Sequence, residues 1–195
     1  MDDPLIGGPQ KSFISQERVP DWMLPVAHLA ALGAIRFSPD APRSDRIRHA
    51  HGYLMAISLN QFGTSFVKGI VGRRRPNEEA ARALGRRTRS KSFYSGHASN
   101  TFCLATYATL YAWRRTDRSI VRAAVPLALY GAATYTAWSR VAEHRHYPSD
   151  VIVGGVAGSG VAVLLFRWYD RMPVPAAERI AVGPVPGGLA IAVRF

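Results

Sequence analysis

From Val151 to Phe166 the chain runs sixteen residues without a charged side chain, the last of five apolar stretches divided by short basic connections. Runs of this length suit helices rather than strands. The first covers residues 21–36, with Asp21 placed to cap it. Ser38 to Arg48 reads as a loop. The second run, from about Ala50 to Val71, is broken by Asn60, Gln61 and Thr64. The third runs from His97 to Trp113 behind Ser95 as cap, and the fourth from Ser119 to Trp138. The fifth runs from Pro148 to about Tyr169, with proline at the first helical position, where its missing N–H costs nothing. The expected fold is all-α: a helical bundle of about five main helices, residues 21–172, behind an N-terminal arm, residues 1–20. In the tail, residues 173–195, alternation around Pro186-Gly187-Gly188 predicts a short β-hairpin-like appendage. Gly154, Gly155, Gly158 and Gly160 would let another helix approach closely, in lipid or in a soluble core. The polar connection from Pro76 to Lys91 is read either as a substrate-facing lid, with a short helix at Glu78–Leu84, or as a solvated basic loop.

At 195 residues the length fits one domain. Net charge is +12, from 25 Lys and Arg against 13 Asp and Glu. A nucleic-acid partner is not expected, because the charge gathers in Arg73 to Lys91 and in short loops, with no aromatic-interleaved groove. Cys103, alone in an apolar run, reads as a buried structural thiol. His28 reads as a satisfied core histidine, and His49 and His51 lie at the far end of their helix from Lys68. The opening Met-Asp-Asp-Pro-Leu-Ile has no signal-peptide pattern. Several apolar runs fall short of the roughly 20 residues of a spanning helix. However, the basic groups Arg43–Arg48, Arg114–Arg122 and Arg167–Arg171 would share one side of the bundle, the cytoplasmic side by the positive-inside rule. A membrane-embedded bundle is therefore favoured over a soluble periplasmic one, with the chemistry on the extracytoplasmic side.

That chemistry gathers in Ser139-Arg140-Val-Ala-Glu-His-Arg-His146-Tyr-Pro-Ser-Asp150. If Pro148 starts a helix, Asp150 sits in its first turn and reaches back to His146. A carboxylate on one imidazole nitrogen fixes the tautomer and raises the basicity of the other, a candidate nucleophile. Upstream stand Lys68, then Arg75-Pro76 after six intervening residues, then Tyr94-Ser95-Gly96-His97. In this order the three blocks resemble the type 2 phosphatidic acid phosphatase (PAP2) superfamily. It includes lipid phosphate phosphatases, bacterial nonspecific acid phosphatases, glucose-6-phosphatase and vanadium haloperoxidases. Tyr94 stands where most members carry proline, as in the animal lipid phosphate phosphatase branch. The resemblance implies His146 as nucleophile oriented by Asp150, and His97 as acid and then base. Lys68, Arg75, Arg140, Ser95 and the Gly96 N–H would bind the phosphoryl group. Arg73, Arg74, Glu143 and His144 fall outside the matched positions and read as neighbours. No cofactor is expected. A metal on His144, His146 and Asp150 is rejected, since a cation would sit among Lys68, Arg75 and Arg140.

The implied activity is metal-independent hydrolysis of a lipid phosphate or pyrophosphate. The alternatives are a soluble acid phosphatase of broad specificity, a vanadate-dependent haloperoxidase, and a phosphate- or lipid-binding protein without turnover.

Overall fold

A computed structural model describes residues 18–39, 41–78, 91–173 and the backbone of 180–185 and 188–193. Five helices make up the body: α1 (Met23–Arg36), α2 (Arg43–Val71), α3 (Gly96–Arg115), α4 (Ser119–Ala142) and α5 (Pro148–Arg171). Strands β1 (Ile180–Val185) and β2 (Gly188–Val193) pair antiparallel. Residues 1–17 of the arm and 79–90 of the expected lid, with most of its Glu78–Leu84 helix, lie outside the described residues, as do 174–179, 186–187 and 194–195 of the tail.

α3 is the central helix, packed on α5, α4 and α2, with α1 laid across α2 and α3. Its fit against α5 depends on glycine. A Cβ at Gly158 would stand 2.0 Å from the Ser99 carbonyl oxygen, and one at Gly154 2.7 Å from that of Ser95. By contrast, nothing among the described residues lies within 4 Å of a Cβ at Gly160. Gly158→Ala is therefore expected to cost about 1–3 kcal/mol of stability through overpacking, while Gly160→Ala gains up to about 1 kcal/mol of helix propensity. Thermal unfolding of the two purified variants checks this, and equal effects would mean that α3 and α5 are not in close contact.

The polar interruptions of the second run register α2 on α3. Asn60 donates to Asn100 at 2.8 Å and accepts from Ser99, while Asn100 donates to Gln61 at 3.0 Å. Lower in the bundle, Tyr53, Tyr107, Tyr111, Leu104, Leu165 and Phe166 form the apolar core.

Three helix limits differ from those read in the sequence. α2 begins at Arg43, so most of the expected Ser38–Arg48 loop is helical: Pro42 precedes it and Asp45 occupies its first turn. These extra turns carry an ionic cluster that closes the far end of the bundle. Asp45 contacts Arg48 and Arg115, Arg114 pairs with Asp170 at 2.7 Å, and His49 stacks on Phe166. α4 continues past Trp138 to Ala142, since no breaker intervenes before His144, whose φ of 52° ends the run. Inside α4, Pro126 leaves the Arg122 carbonyl without its helical donor, and the Trp113 indole supplies one at 2.8 Å. Finally, Asp21 does not cap α1. Trp22 holds the N-cap position with no side-chain bond, and Asp21 points elsewhere.

His28 is satisfied on one side only: its Nδ1 lies 2.7 Å from the Tyr53 hydroxyl, while its Nε2 has no hydrogen bond among the described residues. Cys103 is buried and free.

Candidate active site

Gly72 closes α2 in the left-handed conformation, φ 58°, which glycine adopts without penalty. The turn sends Arg73 toward α5. Its Nη1 donates to Asp150 Oδ1 at 2.8 Å and to Ser149 Oγ at 3.0 Å, with the guanidinium 4.0 Å above the Tyr147 ring. The Arg73 carbonyl accepts the Ser92 N–H at 2.8 Å. The first and second motif blocks are joined there by main chain.

α3 opens at Ser95, whose Oγ accepts the Ala98 N–H and whose own N–H donates to the Asp150 carbonyl at 3.0 Å. Lys68 reaches this helix start: a Cβ at Gly96 would lie 3.4 Å from its Nζ. At the end of α4, the Arg140 carbonyl accepts from both Arg145 N (3.0 Å) and His146 N (3.2 Å), which folds the chain back after His144.

His146 and Asp150 meet as expected, with Nδ1 3.5 Å from Oδ2. Asp150 is fully buried yet well supplied with donors. Its Oδ2 accepts from Ser92 Oγ and from the Tyr147 N–H at 3.0 Å, and its Oδ1 from Arg73. Ser92 Oγ also lies 3.5 Å from His146 Nδ1. With Nδ1 turned toward Asp150 and Ser92, Nε2 is the nitrogen left for a substrate. Burial, with the charges of Lys68 and Arg75, pushes the His146 imidazole down to about 4, against the opposing pull of Asp150. The direction of this shift favours the neutral imidazole.

Arg140 is buried at 1% exposure. It donates to the Val19 carbonyl, and its Nη1 lies 3.5 Å from Glu143 Oε2. Opposite it, Asp21 Oδ1 stands 3.0 Å from His97 Nε2 and 3.8 Å from Arg140 Nη1. A single carboxylate oxygen therefore lies within 4 Å of both groups. Lys68, Arg75, Ser95, Gly96, His97, Arg140, His146 and Asp150 all fall at one end of the bundle, opposite the Asp45–Asp170 cluster. Three partners were not read from the sequence as part of this site. Arg73 was read only as a neighbour, Ser92 was given no role, and Asp21 was read as a helix cap.

The PAP2 superfamily model matches residues 50–172, more than half of the chain. The chain belongs to the PAP2 superfamily. A PA-phosphatase related-family protein of Dictyostelium discoideum is 30% identical over 164 residues, covering 76% of this chain and 59% of that protein. Mouse phospholipid phosphatase 2 is 34% identical over 99 residues, 45% of this chain and 34% of its own length. Dolichyldiphosphatase 1 of Callithrix jacchus is 26% identical over 145 residues, 70% of this chain and 60% of that protein. The chain thus spans between about a third and three fifths of these curated relatives. Among solved structures, the transmembrane PAP2 type phosphatidylglycerolphosphate phosphatase from Bacillus subtilis shares the fold with a TM-score of 0.60 at 17% identity, covering 84% of both chains. The all-α reading and the PAP2 resemblance of the three motif blocks agree with these matches.

Proposed function

We propose that this PAP2 protein is a metal-independent phosphatase that hydrolyses the phosphate of a membrane lipid through a phosphohistidine. The observation that carries the reading is the buried His146–Asp150 pair set beside Lys68 and Arg75, with His97 and Arg140 both within 4 Å of one carboxylate oxygen, Asp21 Oδ1. The names of the relatives, all phosphatases, point the same way.

In this mechanism Lys68, Arg75 and Arg140 hold the phosphoryl oxygens, joined by the Gly96 N–H and Ser95 at the start of α3. His146 Nε2 attacks phosphorus in line, and its Nδ1 proton is held toward Asp150 and Ser92. The P–O bond to the alcohol breaks, and His97 gives its proton to the leaving oxygen. Water then attacks the phosphohistidine and yields a proton to His97. Phosphate leaves and His146 is restored. The transferring group gains little covalent help from such a site; fixed positive charge does most of the stabilisation.

The outer surface supports a bilayer setting. α2 exposes Met55, Leu59, Phe62, Phe66 and Ile70, and α5 exposes Ile152, Val156, Leu164 and Trp168, each at helical spacing. Meanwhile Asn60, Thr64, Ser99 and Asn100 are inside, the reverse of a soluble bundle. All four tryptophans are exposed, Trp22 and Trp138 toward the candidate site and Trp113 and Trp168 toward the other end. Such belts mark the two interfaces of a membrane. α5, the described helix long and apolar enough to cross a membrane by length and composition, rises about 30 Å from Pro148 to Trp168, close to the thickness of a hydrocarbon core. With basic loops at the far end, the site faces the extracytoplasmic side.

Phosphate release from lipid phosphates is expected to persist in excess EDTA and to be blocked by vanadate, a trigonal-bipyramidal oxyanion like the transition state. Loss on chelation that a divalent ion restores would end the metal-free mechanism. For sidedness, a cysteine at exposed Arg74 should react with an impermeant maleimide in intact cells, and one at Asp117 only after permeabilisation. The reverse order would invert the topology.

A further inference from the structure

A cavity of about 180 Å³ lies between α1, α3 and α4, and His97 is in its wall. Along α3 the lining follows one face, His97, Thr101 and Leu104, each about one turn below the last. Met23 and Leu24 of α1 and Ala133 of α4 close the sides. Two hydroxyls line it, Thr101 and Thr136, and both are committed to their own helices. Thr101 donates to the His97 carbonyl at 2.8 Å and Thr136 to the Ala132 carbonyl at 2.9 Å. Below His97 the described lining therefore offers a bound molecule mostly hydrocarbon, with both hydroxyl protons already donated. α1 and α4 each pack on α3 and barely touch one another. The gap between them is flanked by helices that expose Val26, Leu29 and Leu127.

We infer that this slot holds the first carbons of the substrate's alcohol, and that the preferred substrate is the monophosphate of a long-chain alkyl or isoprenyl alcohol rather than of a glycerol- or sugar-like one. The inference rests on the proposed phosphatase mechanism. In-line transfer to His146 places the leaving oxygen on the opposite side of phosphorus, at His97, and the carbon attached to that oxygen then enters the cavity His97 lines. A polyol there would exchange water for at most the spare lone pairs of two threonine hydroxyls, and each hydroxyl left unpaired would oppose binding. The volume is below the roughly 300–1,000 Å³ of pockets that enclose a whole ligand. It takes about six methylenes, if each is close in size to the ~30 Å³ of a liquid water. The remainder of the chain leaves between α1 and α4 into lipid.

The test is the hydrolysis of n-alkyl phosphates from methyl to decyl by the purified protein, at concentrations below micelle formation, with glycerol 3-phosphate alongside. kcat/KM should rise about threefold or more per methylene, level off near six carbons, and be low for glycerol 3-phosphate. Ala133→Leu, which fills the slot, should flatten the hexyl-to-methyl ratio. Leu104→Ala, which enlarges it, should move the plateau to longer chains, so that a poorly folded Ala133 variant leaves a second reading. Hydrolysis of every ester with no dependence on chain length would overturn the slot while leaving the phosphatase intact. A slope unchanged in both variants would also overturn it. Hydrolysis of none would remove the phosphatase reading and the slot with it.

Discussion

His146→Ala is expected to lose phosphate release by a factor on the order of 10⁴ or more in kcat/KM, because the proposed covalent step has no other nucleophile in place. His144, two residues away, does not substitute. It sits at the left-handed turn ending α4, where its carbonyl is tied to the Asn77 N–H at 3.1 Å. The companion variant Asp150→Asn keeps the shape but reverses the hydrogen bonding. Asp150 accepts from Arg73, from Ser92 and from the Tyr147 N–H. An amide must turn its NH₂ toward one of those donors, and it no longer draws the His146 proton to Nδ1. A loss on the order of 10² to 10⁴ in kcat is expected, the range for a histidine left in the wrong tautomer. Initial rates with a soluble phosphomonoester, on protein shown to be folded by circular dichroism, decide both. Near wild-type turnover in His146→Ala would remove it from the chemistry.

Arg75→Lys is expected to be almost as damaging as Arg75→Ala, on the order of 100-fold or more in kcat/KM. The net charge survives the change, but the planar fork that is proposed to span two phosphoryl oxygens does not. Arg75 is half-buried and feels the charges of Arg145, Asp21, Arg140 and Glu78, so a shorter-reaching ammonium cannot recover the geometry by moving outward. Arg74, exposed beside it, provides the control: Arg74→Ala should stay within a few-fold of wild type. Equal and mild effects at both positions would make Arg75 a structural residue.

The five helices were legible because apolar length and the Pro148 and Ser95 start signals are local properties. The gathering of the motifs at one end was legible too, since Lys68 closes one helix and His97 and Asp150 each open another. What the pattern left out is long-range. Asp21 reaches His97 across 76 residues, a contact made by how α1 lies on α3 and announced by nothing near either residue. Three consecutive arginines follow Gly72, and the family spacing singles out Arg75 alone. That Arg73 is the one paired with Asp150 follows from the left-handed turn at Gly72. Ser92 lies three residues before a recognisable cap, and its bond to Asp150 spans 58 residues. The early start of α2 was hidden because its first turns are charged, and those charges find partners only when α3 and α5 arrive.

The identity of the phosphorylated residue tests the central claim most directly. The protein is mixed with a substrate labelled in its phosphoryl group, quenched under alkaline conditions that preserve phosphohistidine, digested and mapped. Label on His146 in the wild type, retained in His144→Ala and absent from His146→Ala, is the predicted result. With a good leaving group, His97→Ala should still take up label and release it slowly. Label on His97 in the wild type would exchange the nucleophile and the acid, and would contradict the role given to Asp150.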